Sequence, residues 1–149
     1  MKVIVRTQVR CPLEQVWQRF DQELFEALAP PFPPVRLLRY DGNQEGDQVH
    51  LSLDLGVVQF AWVSLITEVR RSETESYFVD EGLALPPLLT YWRHRHRLLR
   101  LSAHHTLIID EVEYRMASRA VEIAAAPGFW AQFLYRQPIY RRYFDTASA

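Results

Sequence analysis

The chain of 149 residues holds one cysteine, one lysine and almost no net charge, and each scarcity excludes something. Cys11 alone can form neither an intrachain disulfide nor a cysteine-based metal site. A formal net charge of -1 supplies no overall field to draw nucleic acid or an anionic membrane, so neither partner is expected. With Lys2 the only lysine, the basic side chains are arginines, suited to phosphate or carboxylate. No apolar run is long enough to cross a bilayer, and Arg6 interrupts Val3-Ile4-Val5 before a signal-peptide core can form. A soluble cytoplasmic protein is the expectation. There is no repeat and no low-complexity linker. Residues 1–149 therefore read as one domain, and 48% hydrophobic content is enough for a core. The pattern calls for no cofactor and carries no signal for oligomeric state.

What is present alternates. Lys2 to Arg10 sets Val3, Val5, Thr7 and Val9 on one side of a first strand. Pro12 then opens a helix, a position where its missing N–H costs nothing, and Val16, Trp17 and Phe20 form the buried stripe. Asp21 can cap a second short helix through Leu24, Phe25 and Leu28, which the prolines from Pro30 to Pro34 end. Six strands follow, over Val35–Tyr40, Gln48–Leu55, Val57–Val69, Ser76–Asp80, Leu88–Leu101 and Thr106–Arg115. The last element is a helix from about Pro127 to Phe144. Phe129, Phe133, Tyr140 and Phe144, flanked by Trp130 and Leu134, give it one apolar face. Pro138 should kink this helix, and Arg136, Arg141 and Arg142 are expected on its solvent face. The expected class is α+β. A curved antiparallel sheet of about seven strands wraps a long C-terminal helix, two short helices follow the first strand, and a cavity is left between sheet and helix.

The strongest local signal lies in Tyr91-Trp92-Arg93-His94-Arg95-His96-Arg97 and Ile109-Asp110-Glu111-Val112-Glu113-Tyr114-Arg115. Successive strand residues face opposite ways. Paired as a hairpin, the arginines meet Glu111 and Glu113 outside, while Trp92, His94, His96, Asp110, Val112 and Tyr114 share the inner face. Directly opposed residues must then have position numbers with an even sum. His94 and His96 could be two ligands of a metal, with Asp110 as an added carboxylate, but His104 and His105 fall at the hairpin tip and no third strong ligand is in register. A buried hydrogen-bonded network is the simpler expectation, with no metal. Asp80 shares a face with Phe78 and could reach the cluster, although a strand end beside solvent is the plainer placement. Phe60 and Trp62 read as core and, secondarily, cavity wall.

The chain resembles the SRPBCC superfamily of START domains, pollen allergens and aromatic polyketide cyclases, and in particular its small bacterial single-domain members. The likeness rests on Thr7-x-Val9-x-x-Pro12-x-x-x-Val16-Trp17, on Asp41-Gly42 with Gly46-Asp47, and on Phe78-Val79-Asp80-Glu81-Gly82. Trp92-x-His94-x-His96 and Asp110-x-Val112-x-Tyr114 complete it. The resemblance implies a helix-grip fold with a mostly hydrophobic pocket under the last helix. Met116 to Ala126 lacks the proline-glycine entry that many relatives show before that helix.

The expected function is binding of a small hydrophobic or aromatic molecule that carries a polar group. Its site would comprise Phe60, Trp62, Trp92, His94, His96, Asp110, Val112, Tyr114, Phe129 and Phe133. Two alternatives stay open. One is a cyclase- or dehydratase-like enzyme with His94 or His96 and Asp110 as acid–base pair. The other is a protein-interaction module with a filled cavity. Arg136 could also guard the pocket mouth for an acidic ligand.

Overall fold

The structure is a computed structural model, and it describes residues 1–145; the last four residues of the expected domain lie outside the described residues. Strand β1 (Lys2–Val9) is followed by helices α1 (Leu13–Gln18) and α2 (Gln22–Ala27). Then come β2 (Val35–Tyr40), β3 (Gln48–Asp54), β4 (Gln59–Arg71), β5 (Glu75–Ala84), β6 (Leu89–Ser102), β7 (His105–Met116) and α3 (Arg119–Asp145). The strands form one antiparallel sheet in the order β1-β7-β6-β5-β4-β3-β2, which α3 crosses. This is the helix-grip arrangement.

Local chemistry accounts for the short helices. Pro12 precedes α1 in an extended conformation, and the Asp21 carboxylate accepts the Leu24 N–H at 3.0 Å to cap α2. The β6–β7 hairpin has the expected parity: Trp92 opposes Tyr114, His94 opposes Val112, His96 opposes Asp110, and Arg93 and Arg95 oppose Glu113 and Glu111. Arg97 donates to Glu75 at 2.6 Å and to Glu111 at 2.7 Å, closing a charged outer layer over three strands.

Two expectations about α3 are corrected. It begins at Arg119, eight positions before Pro127, and continues through Pro127 and Pro138. The start is set by Ser118, whose hydroxyl accepts the Val121 N–H at 3.3 Å, and by Glu122, which accepts the Met116 N–H at 3.2 Å. An alanine-rich turn then carries the helix to the aromatic face. The second correction is Arg136, whose side chain is only 12% exposed and packs over the Phe133 ring. Trp130 and Leu134 are exposed, so the buried face is narrower than the sequence pattern suggests.

The core lies in two parts. One joins α1 and α2 to the sheet and the end of α3 through Val16, Phe20, Leu24, Phe78, Leu98 and Phe144. The other joins Val3, Val5, Trp92, Val112, Tyr114 and Phe133. His96 stacks on Phe78 of the first part at 4.2 Å, and His94 meets Phe133 of the second edge-on at 5.2 Å. A polar cluster thus occupies the seam between two apolar regions. Truncating Phe144, which is fully buried, to alanine should cost about 3–5 kcal/mol in urea unfolding. Arg93→Ala on the outer face, where the guanidinium pairs at 3.5 Å with Glu81, should cost less than about 1 kcal/mol.

Candidate functional site

Four elements meet at the seam. Strand β5 contributes Asp80, β6 contributes Trp92, His94 and His96, β7 contributes Asp110, and α3 contributes Arg136 and Tyr140. Asp80 opposes His94, and His96 opposes Asp110, across the strands. The hydrogen bonds run diagonally instead. His94 Nε2 lies 2.8 Å from Asp110 Oδ1, and His96 Nε2 lies 2.7 Å from Asp80 Oδ2. Diagonal neighbours are within reach of long side chains on one sheet face. Each imidazole therefore has its own carboxylate, and the two rings lie against each other with centroids 3.6 Å apart. The ring N–H donates in both pairs, because an ionised carboxylate can only accept.

Both carboxylates have further donors. The Tyr140 hydroxyl donates to Asp110 at 3.2 Å, and Arg136 Nη1 approaches the same group at 3.5 Å. The Trp92 indole N–H donates to Asp80 Oδ1 at 3.2 Å. Burial raises the pKa of Asp110, but the hydrogen bond from His94 and the charge of Arg136 outweigh it and hold the group at about 2. Asp80 also stays below its ordinary value: burial opposes ionisation, and the His96 bond with the fields of the histidines overcomes it. Burial, reinforced by the neighbouring His94, lowers His96 to about 4, so this imidazole is neutral at pH 7. Tyr140 is pushed far above the ordinary phenol value by burial and then by the Asp110 charge, which keeps it a donor.

Beside this cluster lies a cavity of about 290 Å³. Its apolar walls come from Leu51 and Leu53 of β3, Trp62 and Ile66 of β4, Phe78 of β5, Phe129 of α3, and Leu24 and Leu28 around α2. Its polar wall is Asp80, His94, His96 and Arg136, with Ser64 and Gln132 nearby. Trp62 meets Trp92 edge-on at 4.8 Å and donates its indole N–H to Ser64 at 3.1 Å.

Of the ten residues expected at the site, Trp62, Trp92, His94, His96 and Phe129 line the cavity. Asp110 is buried behind His94, and Phe133 is buried against Trp92 and His94. Val112 is packed in the core, and Tyr114 turns its hydroxyl to the Glu122 carbonyl at 3.2 Å, at the start of α3. Phe60 is half-buried and does not reach the cavity lining. Asp80 is drawn into the cluster rather than left beside solvent, with 14% of its side chain exposed. Arg136 and Tyr140 join from α3. Their four-residue spacing on one helical face, opposite a strand carrying a buried carboxylate, was the signal available in the sequence.

No protein-family model matches the chain, and no curated protein matches it. Solved structures do. An aromatase/cyclase from Streptomyces is 19% identical, with 79% of this chain and 69% of that one aligned at a TM-score of 0.60. A norcoclaurine synthase from Thalictrum flavum is 14% identical over 90% of this chain and 89% of that one, with a TM-score of 0.63. A START superfamily protein from Mycobacterium smegmatis is 13% identical over 91% and 92%, with a TM-score of 0.61. The chain therefore shares the helix-grip fold of these structures, a scaffold open to many chemistries.

The site makes acid stability depend on its own groups. For His96 the folded value of about 4 lies below the ordinary 6.5, so the unfolded chain binds the proton first as pH falls. Stability should decline from about pH 6.5 toward 4, and again from about 3.8 toward 2 as Asp110 titrates. Urea unfolding across this range should show a flatter upper limb in His96→Gln; an unchanged slope would contradict the assignment. At pH 7, Asp110→Ala should cost at least about 1–3 kcal/mol, because it strands the donors of His94 and Tyr140.

Proposed function

We propose that the cavity receives a small hydrophobic or aromatic molecule whose polar group meets Asp80, His94, His96 and Arg136. The observation that carries this reading is a pair of buried atoms, His96 Nδ1 and Arg136 Nε, with no hydrogen-bond partner among the described residues. Both belong to side chains on the cavity wall. An unpaired buried polar atom costs about 1–3 kcal/mol, so a cluster serving stability alone would be expected to satisfy them. The remaining wall is aromatic and aliphatic, the composition that supplies affinity, while a few convergent polar groups set orientation. At about 290 Å³ the space suits a small molecule. The protein would use no organic cofactor and engage no nucleic acid, and no helix among the described residues is long and apolar enough to cross a membrane.

One observation favours a second reading, a cyclase- or dehydratase-like enzyme. The 2.8 Å bond from His94 to buried Asp110 fixes an imidazole on the cavity wall, the geometry a general acid–base needs. The pair could remove a proton beside a bound carbonyl and return it to a departing hydroxyl. An interaction module with a filled cavity has less support, since the space is open.

The test uses chelator-treated protein and a panel of fatty acids, polyketide-like aromatics and steroids. Binding should change tryptophan emission saturably, because Trp62 and Trp92 both line the space, and the change should shrink in Trp62→Phe. The absence of any saturable response would contradict the binding reading. With an aromatic ketone that binds, Asp110→Asn should retain affinity; loss of turnover in that variant would select the enzyme.

A further inference from the structure

We infer that Asp80, His94 and His96 form a binding site for one divalent transition-metal ion, zinc or iron(II), with an open coordination position facing the cavity. One donor atom from each residue lies within 4.8 Å of the others. His94 Nδ1 is 3.7 Å from Asp80 Oδ2, and His96 Nε2 is 2.7 Å from the same oxygen. Four-coordinate zinc, bound at about 2.0–2.1 Å by nitrogen and carboxylate oxygen, holds its ligand atoms about 3.3 Å apart. The two separations from Asp80 bracket that value, and with every pair of donor atoms within 4.8 Å, closing the shell requires a separation to change by at most about 1.5 Å.

The surroundings are those of a metal ligand set. His94 presents Nδ1 toward Asp80 while its Nε2–H is held by Asp110, and Asp110 is in turn held by Tyr140 and Arg136. Metal-bound histidines commonly donate their second ring N–H to a carboxylate in this way, which fixes tautomer and ring orientation. Charge balance points the same way. Asp110 has Arg136 beside it, whereas the basic side chains within 4.0 Å of the Asp80 carboxylate among the described residues are the two histidines, of which His96 is neutral, and Arg136 acts on Asp80 only through its field. A buried carboxylate is ordinarily paired or bound to a metal. Two imidazoles with one carboxylate are a borderline donor set, which favours zinc or iron(II) over calcium or magnesium. On binding, the His96 ring proton moves from Nε2 to Nδ1, the hydrogen bond from Nε2 to Asp80 is lost, and three metal–ligand bonds replace three of the ion's water ligands. Because all three residues line the cavity, the fourth position would face whatever the cavity holds. That last point rests on the ligand-binding reading; the metal site itself does not.

Cobalt(II) is the probe, added to chelator-treated full-length protein with no organic molecule present. One equivalent should bind and produce visible absorption bands that zinc abolishes by competition. Asp80→Asn and His94→Gln should each reduce affinity by a hundredfold or more, and Asp110→Asn by about 10–100-fold. His104→Gln should change nothing. Paramagnetic broadening of the His94 and His96 ring signals in the unaltered protein serves if a variant fails to fold. Absence of stoichiometric cobalt binding, or broadening confined to His50, His104 and His105, would overturn the proposal. The fluorescence titration is run without metal, so either reading can fail while the other stands.

Discussion

Two carboxylates in the seam between sheet and helix, Asp110 buried and Asp80 largely so, constrain everything around them. An ionised carboxylate withdrawn from water is costly unless hydrogen bonds and opposite charge replace its hydration. Asp110 draws donors from β6 and α3 together, so the helix is held to the sheet by Tyr140 and Arg136 as well as by its aromatic face. Asp80 extends the same demand to β5 through His96 and Trp92. Strand register, ring stacking and helix orientation must all agree for these bonds to close. Such a network contributes specificity of arrangement more than net stability, since apolar side chains of similar volume would fill the seam at lower cost.

The cavity follows from that arrangement. Helix α3 rests on β1 and β7 and on the polar seam, and the space over β3, β4 and β5 is left to Leu51, Leu53, Trp62 and Phe78. One side of the space is therefore a wall of apolar side chains, and the other is a set of fixed dipoles and charges. Structures that share this fold at low identity include an aromatase/cyclase and a norcoclaurine synthase, which shows that the scaffold accommodates more than one chemistry. The chemistry here must be argued from Asp80, His94, His96, Asp110 and Arg136 themselves.

Much of this was legible in the sequence, for a reason that can be named. The β6–β7 hairpin has uninterrupted alternation and opposite charges on its outer face, so parity alone placed Trp92, His94 and His96 with Asp110. Asp80 was harder. Its strand joins β6 through a four-residue connection, 85–88, and pairs with β4 across irregularities near Val63 and Thr67. No sequence rule sets that register, and with it went the third possible metal ligand. Arg136 was assigned to solvent because arginine usually is, while the helix had room to bury one guanidinium against a buried carboxylate. The start of α3 was missed because Pro127 looks like a first-turn residue, and Ser118 with Glu122 outweighed it.

The central claim is that the polar seam faces a site for a small molecule rather than serving only to hold the fold. The most direct measurement is imidazole nitrogen NMR of the whole chain, recorded while a hydroxylated naphthalene is titrated in. The account predicts that the ring nitrogens of His94 and His96 and the indole N–H signals of Trp62 and Trp92 move together and saturate, while His50, His104 and His105 stay still. Ring-nitrogen signals of His94 and His96 that remain fixed while the compound binds elsewhere, or while it does not bind at all, would contradict it.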